Sequence, residues 1–116
     1  MISYKHRFHG RNSLRFVYTN GKTYRSAVLA LRVAENQRVS QYRCAVVVSK
    51  KVSKSAVKRN RMRRRIYEII RKNEANIVPH HDIVATVYSD QVAIMPAAEL
   101  EETVLKLLHQ ATNSTS

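Results

Sequence analysis

The stretch of this 116-residue chain best equipped for chemistry is Lys58-Arg59-Asn60-Arg61-Met62-Arg63-Arg64, and the chemistry it offers is phosphate binding. Guanidinium groups fork onto pairs of phosphate oxygens and keep their charge at any physiological pH. Residues 50–72 hold eleven Lys or Arg against one acid, Glu68. Wound as a helix at about 100° per residue, Met62, Ile66, Ile69 and Ile70 share one side, and Asn60, Arg61, Arg64, Tyr67, Glu68 and Arg71 share the other. One face can dock on a core while the other meets a polyanion. Lys50, Lys51 and Lys54 are flexible point charges ahead of the helix. Arg61, Arg64 and Arg71 are spaced to clamp successive phosphates. Arg59 lies at the edge of the apolar stripe, where it reaches across the sheet or packs its stem. Asn60 brings an amide that both donates and accepts. A merely solvated basic face would pair its cations with acids, and one acid among eleven cations argues against that.

Other reactive groups form no recognisable set. Two glycines in the whole chain cannot build a glycine-rich phosphate loop. Asp82, at a strand start, and Asp90, in a loop, read as ordinary solvated carboxylates rather than a catalytic pair. His80, His81, His109 and Cys44 match no zinc spacing and read as loop or surface histidines and a buried thiol. Aromatic residues interleave with basic ones, and such neighbours can stack bases of a single strand. Most of them read as packing; Phe16 and Tyr18, just before a turn, are the better stacking candidates.

The net charge of +13 is unevenly placed. Residues 1–72 carry twenty Lys or Arg against two acids, net +18, and residues 73–116 carry net −5. Self-repulsion at that density calls for a polyanionic partner, nucleic acid before a membrane surface or an acidic protein. The chain suits a single domain over residues 1–112, followed by a flexible tail over 113–116. No apolar run is long enough for a membrane span, the basic start lacks a signal-peptide core, and one cysteine fits a reducing cytoplasm.

The elements that must carry these residues are legible in outline. Residues 11–19 read as a helical or irregular lead-in with Leu14, Val17 and Tyr18 at helical spacing, closed by the Asn20-Gly21 turn signal. Residues 26–33 read as a strand, and 42–49, with Cys44-Ala45-Val46-Val47-Val48, as a central strand paired antiparallel to it. A helix follows over 56–73, capped by Ser53 or Ser55. Then come a strand over 82–88 and a last helix over 96–111 with Leu100, Val104, Leu107 and Leu108 inward. The fold class is α+β, an α/β sandwich of order α-β-β-β-α-β-α with one mainly antiparallel sheet.

The run from Val47 to Arg64, Val-Val-Ser-Lys-Lys-Val-Ser-Lys-Ser-Ala-Val-Lys-Arg-Asn-Arg-Met-Arg-Arg, resembles the signature of the bacterial ribonuclease P protein component. Phe16-Val17-Tyr18 before Gly21, the Asp82-Ile83-Val84 strand and the closing amphipathic helix extend the likeness along the chain. The resemblance implies a sandwich in which the basic helix joins parallel strands by a left-handed crossover, against the usual hand. It also implies two RNA partners, the ribonuclease P catalytic RNA and precursor tRNA, with no protein or membrane partner. The RNA, with Mg²⁺, hydrolyses the bond that frees the 5′ leader; no catalytic side chain and no metal ligand is expected from the protein. Lys50, Lys51, Lys54, Arg59, Asn60, Arg61, Arg63, Arg64 and Arg71 would face the catalytic RNA. Leu14, Phe16, Tyr18 and Arg32 would face the leader, with Leu14 at a position often aromatic in the family. Tyr67 stands where many members have Arg, and Arg65 where many have an aliphatic residue.

Three other classes compete. A ribosomal-type RNA-binding module would share the basic helix without a leader cleft. A DNA regulator would need more base-reading side chains than one Asn among arginines. A self-sufficient nuclease would need metal-binding carboxylates.

Overall fold

The computed structural model describes residues 11–38, 41–77 and 79–114. In chain order they form α1 (Arg11–Asn20), β1 (Lys22–Arg25), β2 (Leu29–Glu35), β3 (Arg43–Val47), α2 (Ala56–Lys72), β4 (His81–Val87) and α3 (Ala97–Ser114). Short 3-10 turns at Glu74–Asn76 and Asp90–Ala93 flank β4. This is the predicted order, in one four-stranded sheet arranged β1-β2-β4-β3. Among the described residues no helix is long and apolar enough to cross a membrane.

Two expectations about the sheet fail for one reason. β3 was expected at the centre, antiparallel to β2; it lies at the edge and runs parallel to β4 alone. β4 takes the centre, antiparallel to β2 on its other side. Burial explains the exchange: nearly every residue of β4 is buried, on both faces, whereas in β3 only Cys44 and Val46 are. A strand covered on both faces belongs inside the sheet. The chain leaves β3 through α2 and returns as β4, which supplies the crossover a parallel pair needs. The outer edge of β3 is partly closed by Tyr67 of α2, whose hydroxyl accepts the Val46 N–H at 3.2 Å. β1 is the other edge; its four residues, two of them basic, carry too little apolar character to have been located from sequence.

The sheet separates two layers. Leu29 and Leu31 of β2, Cys44 and Val46 of β3, and Ile83, Ala85 and Val87 of β4 pack with Met62, Ile66, Ile69 and Ile70 of α2 and with Leu100, Val104 and Leu107 of α3. The stripe read from the sequence of α2 is therefore the core stripe; in α3, Leu108 is only partly buried. On the opposite face Val17 of α1 packs with Ala34 and Val84, flanked by Leu14, Phe16 and Val47. α1 stops at Gly21, whose N–H donates to the Val17 carbonyl at 2.8 Å. A Cβ there would lie 2.6 Å from that oxygen, so the close approach requires glycine. α3 runs through Ser114, beyond the predicted helix end at 111 and into the predicted tail.

Candidate nucleic-acid interface

The interface begins where α2 begins. Ser55 is the N-cap, its hydroxyl accepting the Lys58 N–H at 3.2 Å. The first turn of α2 contains no acid, while Lys50, Lys51, Lys54 and Lys58 are all exposed around it. Cations at the positive end of a helix dipole are unfavourable by about 0.3–1 kcal/mol each. Their placement there does not serve the helix; a bound anion would offset the cost.

Hydrogen bonds sort the cations further along. Arg59 donates to the Ser53 carbonyl at 2.8 Å and fastens the loop to the helix. Arg63 donates to the Asn60 side-chain oxygen, so that amide is already partly engaged. Arg71 pairs with Glu68 at 3.0 Å, holding that carboxyl down at about 2. Lys72 meets Glu101 of α3 at 3.5 Å. Among the described residues, Lys50, Lys51, Lys54, Lys58, Arg61 and Arg64 make no side-chain hydrogen bond or ion pair and keep their donors for a partner.

Arg65 behaves differently. It donates to the Val92 carbonyl at 2.6 Å and to the Met95 carbonyl, tying α2 to the turn before α3. Burial, and then the charge of Arg61, lower its affinity for its proton. Its departure from the family pattern therefore has a structural use, and so does that of Tyr67 at the β3 edge.

The leader-side candidates lie across the sheet. At about 100° per residue, Leu14 and Tyr18 fall on one flank of the buried Val17, and Phe16 falls on the other. One groove beside α1 can use Leu14 with Tyr18 but not all three side chains. Tyr18 is 48% exposed; Phe16 and Leu14 are partly buried against the Val17 cluster. Arg32 reaches from β2 to the end of α1, donating to the carbonyls of Val17 at 3.0 Å and Tyr18 at 2.6 Å and to Thr23 Oγ1 at 2.7 Å. A cation on a helix C-terminus is the favourable arrangement, so Arg32 also holds Tyr18 in place.

The same face carries a cluster that the sequence reading missed. Asp82 is not solvated but 0% exposed. Its two oxygens accept Nε and Nη2 of Arg43, each at 2.9 Å, and one also accepts the Asn36 side-chain amide at 2.9 Å. The signal available was an acid opening one apolar run and an arginine opening another. His81 also departs from expectation, buried at the start of β4 with Nδ1 2.9 Å from the Pro79 carbonyl. His80 adopts φ 64°, and its carbonyl accepts the Asn36 N–H at 2.6 Å, fastening the end of β2 to the start of β4. Cys44 is the predicted buried thiol.

Magnesium requires several oxygen ligands in near-octahedral array. Among the described residues no three His, Cys, Asp or Glu side chains cluster to hold a metal, and the buried carboxylate of Asp82 is already engaged.

Comparison with known proteins bears on the family and the fold. The family described as Ribonuclease P matches residues 2–112. The ribonuclease P protein component of Chloroflexus aurantiacus (strain J-10-fl) is 37% identical over 97 residues, covering 84% of this chain and 70% of the relative. That of Chloroflexus aggregans is 34% identical with the same coverage. In fold, the RNase P protein of Staphylococcus aureus superposes with a TM-score of 0.80 at 21% identity, covering 91% of this chain and 94% of the other. That of Thermotoga maritima gives 0.79 at 23% identity, covering 90% and 96%.

Proposed function

The chain belongs to the bacterial ribonuclease P protein family, and from that premise we propose how its surface serves removal of the tRNA 5′ leader. The family places the chain as the protein component of a ribonuclease acting in tRNA 5′ processing, with an RNA partner in a ribonucleoprotein. On our reading that partner is the catalytic RNA, bound along the start of α2, and the hydrolysis and its Mg²⁺ belong to the RNA.

One observation carries this reading. Lys50, Lys51, Lys54, Lys58, Arg61 and Arg64 are concentrated at a helix N-terminus with no internal partner among the described residues. Such a surface binds phosphates and releases counterions. Arg59, Asn60 and Arg63 shape it through their contacts with Ser53 and one another, and Arg71 borders it beside Glu68. The leader of precursor tRNA lies across the other face of the sheet, against Tyr18 and Leu14, with Arg32 fixing the end of α1 and Phe16 on its far flank. An exposed tyrosine can stack on an unpaired base. The cytoplasm is the proposed location, matching the lone buried thiol of Cys44.

The test is 5′ cleavage of a precursor tRNA at low Mg²⁺ by a bacterial catalytic RNA with and without this protein, and by the protein alone. Cleavage enhanced only by the combination is the expected result. Tight RNA binding without enhancement would instead favour an RNA-binding module of ribosomal type, and cleavage by the protein alone would require an active site of its own.

A further inference from the structure

A second concavity lies between α2 and α3, away from the α1 face of the sheet. It has a volume of about 570 Å³ and is lined by Arg61, Arg64, Arg65, Glu68, Ile69 and Lys72 of α2 and by Ala97, Ala98, Leu100 and Glu101 of α3. That volume is within the range of small-molecule sites, roughly 300–1,000 Å³. We infer that this groove seats one unpaired nucleotide of the partner RNA, its phosphate on Arg61 and Arg64 and its base against the exposed Ala97 and Ala98 of the first turn of α3 and the accessible edge of Ile69. The inference rests on the RNA-binding reading and adds to it a site where a base, not only backbone, is held.

The lining separates into two ends by charge. Toward the C-terminus of α2 the carboxylates are paired: Glu68 with Arg71 at 3.0 Å, and Glu101 with Lys72 at 3.5 Å, Glu101 also accepting the Asn73 side-chain amide at 3.2 Å. Toward its N-terminus Arg61 and Arg64, one helical turn apart, have no internal partner among the described residues. Val57, 75% exposed, is one turn before Arg61 on the same side of the helix. The groove is therefore apolar at its floor and positive at one end, which fits an anion joined to a flat apolar body.

Two features favour a nucleotide over a bare phosphate. The floor is made of the small, exposed Ala97 and Ala98 and the edge of Ile69, with the buried Leu100 beneath them, so nothing bulky fills the space above. Arg65 lines the same space with its guanidinium fixed by the Val92 and Met95 carbonyls. A guanidinium plane held in position is a surface on which an extruded base can stack. An anion beside Arg61 would also relieve the like-charge effect by which Arg61 weakens proton binding at Arg65. A paired A-form helix presents phosphates but cannot place a base in such a groove; an unpaired nucleotide can.

Adenosine 5′-monophosphate and inorganic phosphate are the probes, titrated into the whole protein and followed by methyl and amide NMR. The nucleotide should shift the Ile69 and Leu100 methyls and the Ala97 and Ala98 amides, and phosphate at equal concentration should leave the methyls unmoved. Ala98 is exposed, so Ala98→Trp fills the groove without removing a cation. It should erase the methyl shifts and weaken binding of a bacterial ribonuclease P RNA about ten-fold, with the salt slope unchanged. Wild-type affinity in Ala98→Trp, or nucleotide shifts confined to the lysine loop, would overturn the inference. Should Ala98→Trp fail to fold, the wild-type titration decides alone. Failure of the wild-type protein to bind the catalytic RNA would strike at the functional reading, while the nucleotide titration would still report on the groove.

Discussion

Arginine dominates two regions of this protein and does different work in each. Where β3 and β4 begin, Arg43 gives Nε and Nη2 to a fully buried carboxylate that Asn36 also holds. Around the first turns of α2, Arg61 and Arg64 give nothing to the described residues, and the lysines beside them do the same. Charge alone does not distinguish the regions; the state of the donors does. A guanidinium whose hydrogen bonds are met internally is part of the fold, and one mounted on a rigid helix with its donors unmet is prepared for an external anion. The two regions should therefore fail in different assays.

The largest effect is expected at the buried carboxylate. Asp82→Ala leaves Arg43, 20% exposed, facing a cavity without its counter-charge, and breaking such a pair costs about 3–5 kcal/mol. For a domain of this size Tm should fall by on the order of 10 °C. Asp82→Asn, which keeps the shape and one acceptor, should lose less. The fraction that remains folded should show an unaltered salt slope in catalytic-RNA binding; a reduced slope would put Arg43 on the interface and erase the contrast.

The complementary change is Arg61→Ala with Arg64→Ala. Removing two phosphate contacts should lower the salt slope of RNA binding by about 1–2 and the affinity by about ten-fold or more. Tm should stay within a few degrees, since neither side chain has an internal partner among the described residues. An unchanged slope would place both arginines off the RNA.

Arg65 lies between the extremes. Arg65→Ala leaves the Val92 and Met95 carbonyls without their donor, at a cost of about 1–3 kcal/mol. Thermal or urea unfolding should show the loss. RNA affinity should fall with the groove wall, at an unchanged salt slope, because its charge is committed to carbonyls of its own chain.

Local patterns told much of this in advance. The 3.6-residue period in α2 marked its buried stripe because four apolar residues recur there among cations. The concentration of charge was legible as well, eleven Lys or Arg against one acid over residues 50–72. What was lost depends on distant residues. β3 looked central because five consecutive residues are β-prone, yet centrality depends on what covers each face, and α2 returns the chain as β4 between β2 and β3. Asp82 looked solvated because its partners are remote in sequence, Arg43 being 39 residues away and Asn36 46. The roles of Arg65 and Tyr67 depend on where a turn and a strand edge come to rest, which no periodicity within α2 reveals.

The smallest expected effect lies in the C-terminal half of α2, where charge is paired at the surface. Hydrogen bonding from Arg71 holds the Glu68 carboxyl at about 2, below its ordinary value of 4.5. A carboxyl whose folded value is depressed stabilises the fold fully above the unfolded value, and that contribution is lost as pH falls toward the folded one. The relevant window is therefore about pH 4.5 down to about 2. Both partners are well exposed, so water and salt screen the pair and the contribution is slight. Glu68→Gln should make Tm fall slightly less steeply across that window at low salt, and the difference should fade in 1 M salt. RNA affinity should rise marginally in the same variant, because Arg71 is released beside the basic surface. If affinity were instead to fall substantially, the pair would be orienting Arg71 for RNA, and the division between arginines that hold the fold and arginines that meet the partner would shift one turn along α2.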